Sequence, residues 1–357
     1  MNCPGENLLI KLWESLAEKG VGSLLKPWQI RRVGRANVDL RRYEMLALAD
    51  AEREVEEIRS GRRKLEKAKY ILSLTEGSSG GDTKTPTVEV PLLEVASRAA
   101  VADAMRKEIN VAKAVLHAEA DLRNDDAPPP EKNVDDDWLY RWRDYAGSVS
   151  ADDLQELWGR ILAGELKSPG RYSYRLLDFV RNLTKDEAGL IERIAPFVIS
   201  SVVVRENDSI LAEAGVSFDK LMELQELGVL SGIEALGLQV EYSSDDTSKY
   251  VKLLACHGRG IIIQQDDPTK KFEIGIYPIT VLGRQVLGLG NFSANERYLL
   301  AVGRHIKQKG FKVSIVDCVD AGKGMVRYSN AVEVADAQQD EAQQPLPAAL
   351  SAESPVT

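Results

Sequence analysis

The chain has 357 residues, 55 of them acidic and 46 lysine or arginine, for a net charge of −9, with 44% hydrophobic content. That is long enough for two or three domains and ordinary for a soluble globular protein, and the acidic balance disfavours whole-molecule attraction to nucleic acid or anionic lipid. Cys3, Cys256 and Cys318 are far apart with no Cys-x-x-Cys pair, which argues against a disulfide framework or a thiolate zinc site.

The beginning, Met-Asn-Cys-Pro-Gly-Glu, lacks a basic-then-apolar signal layout. The most apolar run, from Ala195 to Val204, is about half of the roughly twenty residues a bilayer needs. The expected location is the cytoplasm, with peripheral contact at the inner membrane as an alternative.

Residues 6–28 predict an amphipathic segment with Leu9, Leu12, Trp13, Leu16 and Ala17 on one helical face. From Lys26 to Arg42 six basic residues (Lys26, Arg31, Arg32, Arg35, Arg41 and Arg42) stand against Asp39 alone, a local net of +5. The leading reading is a helix docked on the protein's own core or in a dimer. An anionic membrane surface is second, where cations beside an apolar stripe add attraction, and nucleic acid is third. Residues 29–76 predict a long charged helix with pairs such as Glu52 and Glu56 facing Arg53 and Arg59. Val38, Met45, Glu52 and Arg59 share one heptad position, so a coiled-coil seam is poorly specified. The Gly- and Ser-rich run within residues 77–90 predicts a flexible linker.

Residues 91–185 predict a helical core domain built on a tryptophan hairpin. A helix from Pro91 to about Leu122 leads through an acidic, Pro-rich loop to Trp138, Trp142 and Tyr145 at i, i+4, i+7. Ser150 and Asp153 have capping-box spacing, and Leu154, Leu157, Trp158, Ile161 and Leu162 then follow on one face. Trp138, Trp142, Leu154, Leu157, Trp158, Ile161 and Leu162 are therefore the expected structural core. Ala163 and Gly164 permit close approach of another backbone. Arg160 and Glu165 beside them are candidates for an ion pair in a helix–helix or subunit contact. Thr184 and Glu187 repeat the capping-box spacing, and Pro196 kinks or ends the helix they start.

Residues 186–290 read as a winged-helix-like module. A helix from Phe218 to Leu227 stops at Gly228. Strand-type runs follow over 238–242, 250–255, 260–264 and 272–277, with turns at 258–260 and 266–268, and a short helix runs from Val281 to Leu287. Residues 291–334 predict a small helix–strand unit, with a helix carrying Tyr298, Leu299, Val302 and Ile306 and a strand from Lys312 to Val316. Residues 335–357, rich in Gln, Ala, Pro and Glu, predict a disordered tail. The fold class expected is mainly α with an α+β C-terminal part.

On Asp137-Trp138, Val149-Ser150, Leu157-Trp158-Gly-Arg-Ile-Leu-Ala-Gly-Glu165, Pro169-Gly170, the run from Leu176 to Thr184, and Glu187-Ala188, the stretch Leu92 to Leu287 resembles a bacterial family catalogued only as a domain of unknown function. The order of parts also looks remotely like the abortive-infection alpha group of phage-defence proteins. Neither resemblance brings catalytic residues with it.

No chemistry-bearing constellation stands out. His117, His257 and His305 lie in separate segments without ligand-spaced partners, and Cys256-His257 are expected to point to opposite faces of one strand. Gly20-Val-Gly22, Gly288-Leu-Gly290 and Gly322-Lys-Gly324 lack phosphate-loop spacing and read as turns. The acidic runs Asp135-Asp136-Asp137 and Asp152-Asp153 could offer carboxylate oxygens to a hard cation but read as solvated loops and helix N-termini. No metal, cofactor or catalytic residue is expected. Residues 186–290 hold 16 acids against 9 lysines and arginines, a net of −7, and duplex affinity rests on cations meeting phosphates. The expectation is a non-enzymatic interaction protein, with a protein partner or homo-oligomer, that does not bind duplex DNA through the winged-helix-like part. A regulator binding nucleic acid through Arg31, Arg32, Arg35, Arg41 and Arg42 is the alternative.

Overall fold

The computed structural model describes residues 6–18, 49–50, 52–60, 89–123, 125, 127–235, 237–322 and 325–335. The chain forms two compact units, Met1–Asn182 and Leu183–Thr357. The basic block with Arg31, Arg32, Arg35, Arg41 and Arg42 lies outside the described residues. So do the coiled-coil seam up to Met45, the linker up to residue 88 and the tail from 336.

Among the described residues, the regular structure of the first unit is all helical. Helix α1 spans Glu6–Glu18, residues 52–59 are helical, α2 spans Glu89–Leu122, α3 Asp136–Gly147, α4 Asp152–Lys167 and α5 Tyr174–Asn182. Helices α3 and α4 are both packed along α2. In α1 the innermost residues are Leu8, Leu12 and Leu16, at i, i+4, i+8, while Leu9 and Trp13 flank them half-buried. The stripe is thus centred one residue earlier than the sequence pattern suggested, and it faces α4 and α2 of the same chain.

The second unit is α+β. Its elements are α6 (Lys185–Ile194), a 3-10 turn Ala195–Phe197, β1 (Val202–Val204), α7 (Asp208–Glu213), α8 (Phe218–Glu226), β2 (Gln239–Tyr242), β3 (Tyr250–Cys256), β4 (Arg259–Gln265), β5 (Phe272–Pro278), α9 (Val281–Leu287), α10 (Glu296–Gln308), β6 (Lys312–Gly322) and β7 (Met325–Glu333). They make two antiparallel sheets, one ordered β1-β5-β2 and one ordered β3-β4-β6-β7. Thr184 and Glu187 close the expected capping box at α6. Thr280 caps α9 and Asn295 caps α10. Gly228, at φ +76, ends the α8 region as the left-handed position glycine tolerates.

Several expectations change. Strand β4 pairs with β6 from Arg259↔Asp317 to Gln264↔Lys312, so an expected boundary at residue 290 runs through a hydrogen-bonded sheet. The strand expected to end at Val316 continues to Gly322 and turns into β7, which the sequence reading did not contain. The β3–β4 turn is His257-Gly258, with φ of 43° and 79°, so Arg259 and Gly260 belong to β4. Two successive positive φ values are what a two-residue hairpin loop needs to match strand twist. His257 therefore leaves the strand that Cys256 ends, its Nε2 lies 2.8 Å from the Ala195 carbonyl, and its ring stands edge-on to Phe292 at 5.5 Å.

The second unit's core joins both sheets through aromatic rings. Phe311 lies 4.9 Å from Tyr250 and 5.2 Å from Phe272, whose ring also meets Tyr242 at 5.3 Å. Tyr298 is fully buried edge-on to Phe197, and its hydroxyl accepts the Val204 N–H at 2.6 Å. A buried phenol with a bonded hydroxyl combines apolar area with polar satisfaction.

Candidate functional site: the tryptophan hairpin and its buried glutamate

Asp135 opens α3 by accepting the Trp138 N–H at 2.9 Å, while Asp136 and Asp137 sit in the first turn, where carboxylates complement the helix dipole. Tyr174 donates its hydroxyl to the same Asp135 at 2.5 Å. That bond first, then the Trp138 N–H, holds the Asp135 carboxyl below its usual range, and the Tyr174 phenol is pushed up to about 12 by the same bond. The three indoles are all buried. Trp138 Nε1 donates to the Tyr172 carbonyl and Trp142 Nε1 to the Trp158 carbonyl, each at 2.9 Å. Tyr145 meets Trp158 edge-on with centroids 6.0 Å apart. The aromatic payload is therefore core, with the indole nitrogens of Trp138 and Trp142 satisfied.

Helix α4 departs from its expected face. Its N-cap is Ala151, without a side-chain bond, so the Ser150–Asp153 capping box does not form. Leu154, expected in the core, is 43% exposed, and Leu157 is half-buried, while Gln155 is 1% exposed. The cause is polar. Gln155 Nε2 donates to Asn110 Oδ1 at 3.2 Å and to the Val149 carbonyl at 3.1 Å, and Asn110 in turn donates to the Gly147 carbonyl at 2.9 Å. Two amides tying α2, α3 and the α3–α4 turn together draw Gln155 inward and roll Leu154 outward. Trp158, Ile161 and Leu162 remain buried as expected, with Ala163 and Leu166 beside them.

The Arg160–Glu165 pair does not form either. Arg160 reaches Glu156 one turn back at 2.9 Å. Glu165 is 1% exposed and its carboxylate accepts the Gly170 N–H at 2.5 Å and the Tyr172 N–H at 2.9 Å. Burial pushes its carboxyl above the usual range, opposed by those two N–H bonds and by the charge of Lys132, and aided by Asp135. The glutamate is thus a clamp on the turn after α4, the turn that presents the Tyr172 carbonyl to Trp138. Gly164 is no interaction surface. A side chain there would meet the Tyr172 ring at 2.6 Å.

The close helix approach that the sequence reading gave to Gly164 belongs to Gly159. A methyl built there would stand 2.7 Å from the Ala114 carbonyl and 2.9 Å from the Ala118 nitrogen of α2. Asn110, Gln155, Gly159 and Tyr172 were missed. Of these only Gly159 carried a local signal, a glycine inside a strong helical pattern, which usually marks close packing.

Beyond the hairpin, an open cavity of about 330 Å³ lies between α1 and the proline loop, lined by Asn7, Ile10, Lys11, Glu14, Pro129 and Asn133 among others. Lys11 spans it to the carbonyls of Pro130 and, at 2.8 Å, Lys132. Among the described residues no group of three or more His, Cys, Asp or Glu is placed to hold a metal, and no helix is long and apolar enough to cross a membrane.

Neither the curated proteins nor the solved structures contain a match to this chain. Residues 96–210, from within α2 through β1 into α7, match the family model described as Protein of unknown function (DUF2806), and the tryptophan hairpin and Glu165 lie within the matched stretch.

Proposed function

We propose that this is a non-enzymatic interaction protein in which the tryptophan hairpin is a rigid scaffold and partners are met on the outer faces. The observation that carries this reading is the direction of the most distinctive side chains. Trp138, Trp142, Trp158, Gln155 and Glu165 are all turned inward, with the Trp138 and Trp142 indole nitrogens and the Glu165 carboxylate oxygens occupied by this chain's own backbone. Buried polar groups bonded in this way specify structure.

The second unit is best read as winged-helix-like. In its support are the order helix, strand, helix, helix, strand, strand and the sheet order β1-β5-β2. The charge speaks for protein and against duplex DNA. Helix α8 carries Asp219, Glu223 and Glu226, and its one cation, Lys220, bonds Glu223 at 2.6 Å. Arg205 turns inward over the Tyr277 ring and donates to the Ala235 carbonyl. The β2–β5 connection, where a wing would swing out, is instead taken up by β3 and β4, and β4 is tied to β6.

The partner class we propose is another protein or a second copy, in the cytoplasm, with phage defence as the setting suggested by the sequence resemblance. Efficiency of phage plating with and without the gene tests that setting, and equal plating across a broad phage panel rejects it. Titration of the full chain with fluorescent random duplex at moderate salt tests the charge argument. We expect no saturable binding; tight, salt-sensitive binding retained when Arg31, Arg32 and Arg35 are changed to Gln overturns it.

A second reading rests on the +5 block of residues 26–42. It makes the protein a nucleic-acid regulator or a peripheral membrane-surface protein acting through that block. Binding of duplex, or flotation with anionic vesicles, that disappears in the same triple Gln variant favours it.

A further inference from the structure

We draw no further inference here: the strongest candidate, the outer edge of strand β7 with Val326, Tyr328 and Val332 exposed, carries nothing because nothing in the structure shows what covers it.

Discussion

The Trp142 indole N–H donates to the main-chain carbonyl of Trp158, so the two helices of the hairpin are joined by a side chain of one and the backbone of the other, both buried. Trp158→Ala removes the ring that Tyr145 and the α2 side of the core pack against, and should cost about 3–5 kcal/mol. Trp142→Phe keeps most of the apolar area but loses the bond, and should cost about 1–3 kcal/mol. Urea midpoints followed by tryptophan fluorescence check both. An unchanged midpoint in Trp158→Ala would show that this face is not core.

Two helical glycines should respond to alanine with opposite signs. Gly159→Ala drives a methyl into the α2 backbone and should destabilise by about 1–3 kcal/mol, since neither the Ala114 carbonyl nor the Ala118 nitrogen can step aside alone. Gly189→Ala in α6 meets only the Arg193 guanidinium at 3.6 Å, and should stabilise by about 0.5–1 kcal/mol through helix propensity. Melting temperatures that move the same way in both variants would contradict the packing account.

Glu165 makes a pH prediction with a definite sign. Its folded carboxyl is raised, chiefly by burial, so the native state holds its proton more tightly than the unfolded chain does. The contribution is fully present below the unfolded value near 4.5 and is lost as pH rises through the folded value. Glu165→Gln cannot titrate and places an amide N–H against one of two backbone donors, so it should be less stable than wild type by about 1–3 kcal/mol at neutral pH. The gap should widen on acidification. A gap that narrows would mean that the Gly170 and Tyr172 N–H groups outweigh the burial of the charge.

Arg259 joins β4 to α10 and β6. Its guanidinium engages Glu296 through Nε at 2.7 Å and a second nitrogen at 3.2 Å, and also pairs with Asp317, which accepts from Asn330 at 2.6 Å. Because all these groups are partly exposed, Arg259→Ala should cost only about 1 kcal/mol, and Arg259→Lys should recover little of it because an ammonium cannot reproduce the fork. Thermal melts at low and high salt check this, with the difference shrinking at high salt.

What the sequence made legible was local. Thr184 and Glu187 form their capping box because both partners sit within one turn, and Trp138, Trp142, Trp158, Ile161 and Leu162 are buried because the helical period states their face. Ser150 and Asp153 have similar spacing but no box, since the turn before α4 is fixed by Gln155 and by Asn110, 45 residues away in sequence. No window around Leu154 records that bond. Strand β7 hid for a related reason. A register shift between Ile315 and Asp317 of β6 accompanies Asn330 at φ 53°, and the shift interrupts the alternation a strand reading depends on. The burial of Glu165 was equally unreadable, because its two donors come from a turn whose path the helix period does not determine.

The interleaving of the two sheets has a consequence for synthesis. Strands β3 and β4 fall between β2 and β5 in the chain, yet the neighbour of β4 on its other side is β6. As the chain emerges, β4 carries Ile261, Ile262 and Ile263 with one row of backbone groups unmatched until the whole stretch from Asp266 to Phe311 has been made. Pairings of such long sequence separation form slowly, and a bare apolar strand invites misassembly in the meantime. Chains ending between Gln265 and Lys312 are accordingly the ones expected to depend on chaperones or be degraded, and the arrival of β6 is the closing step that gives β4 its second neighbour.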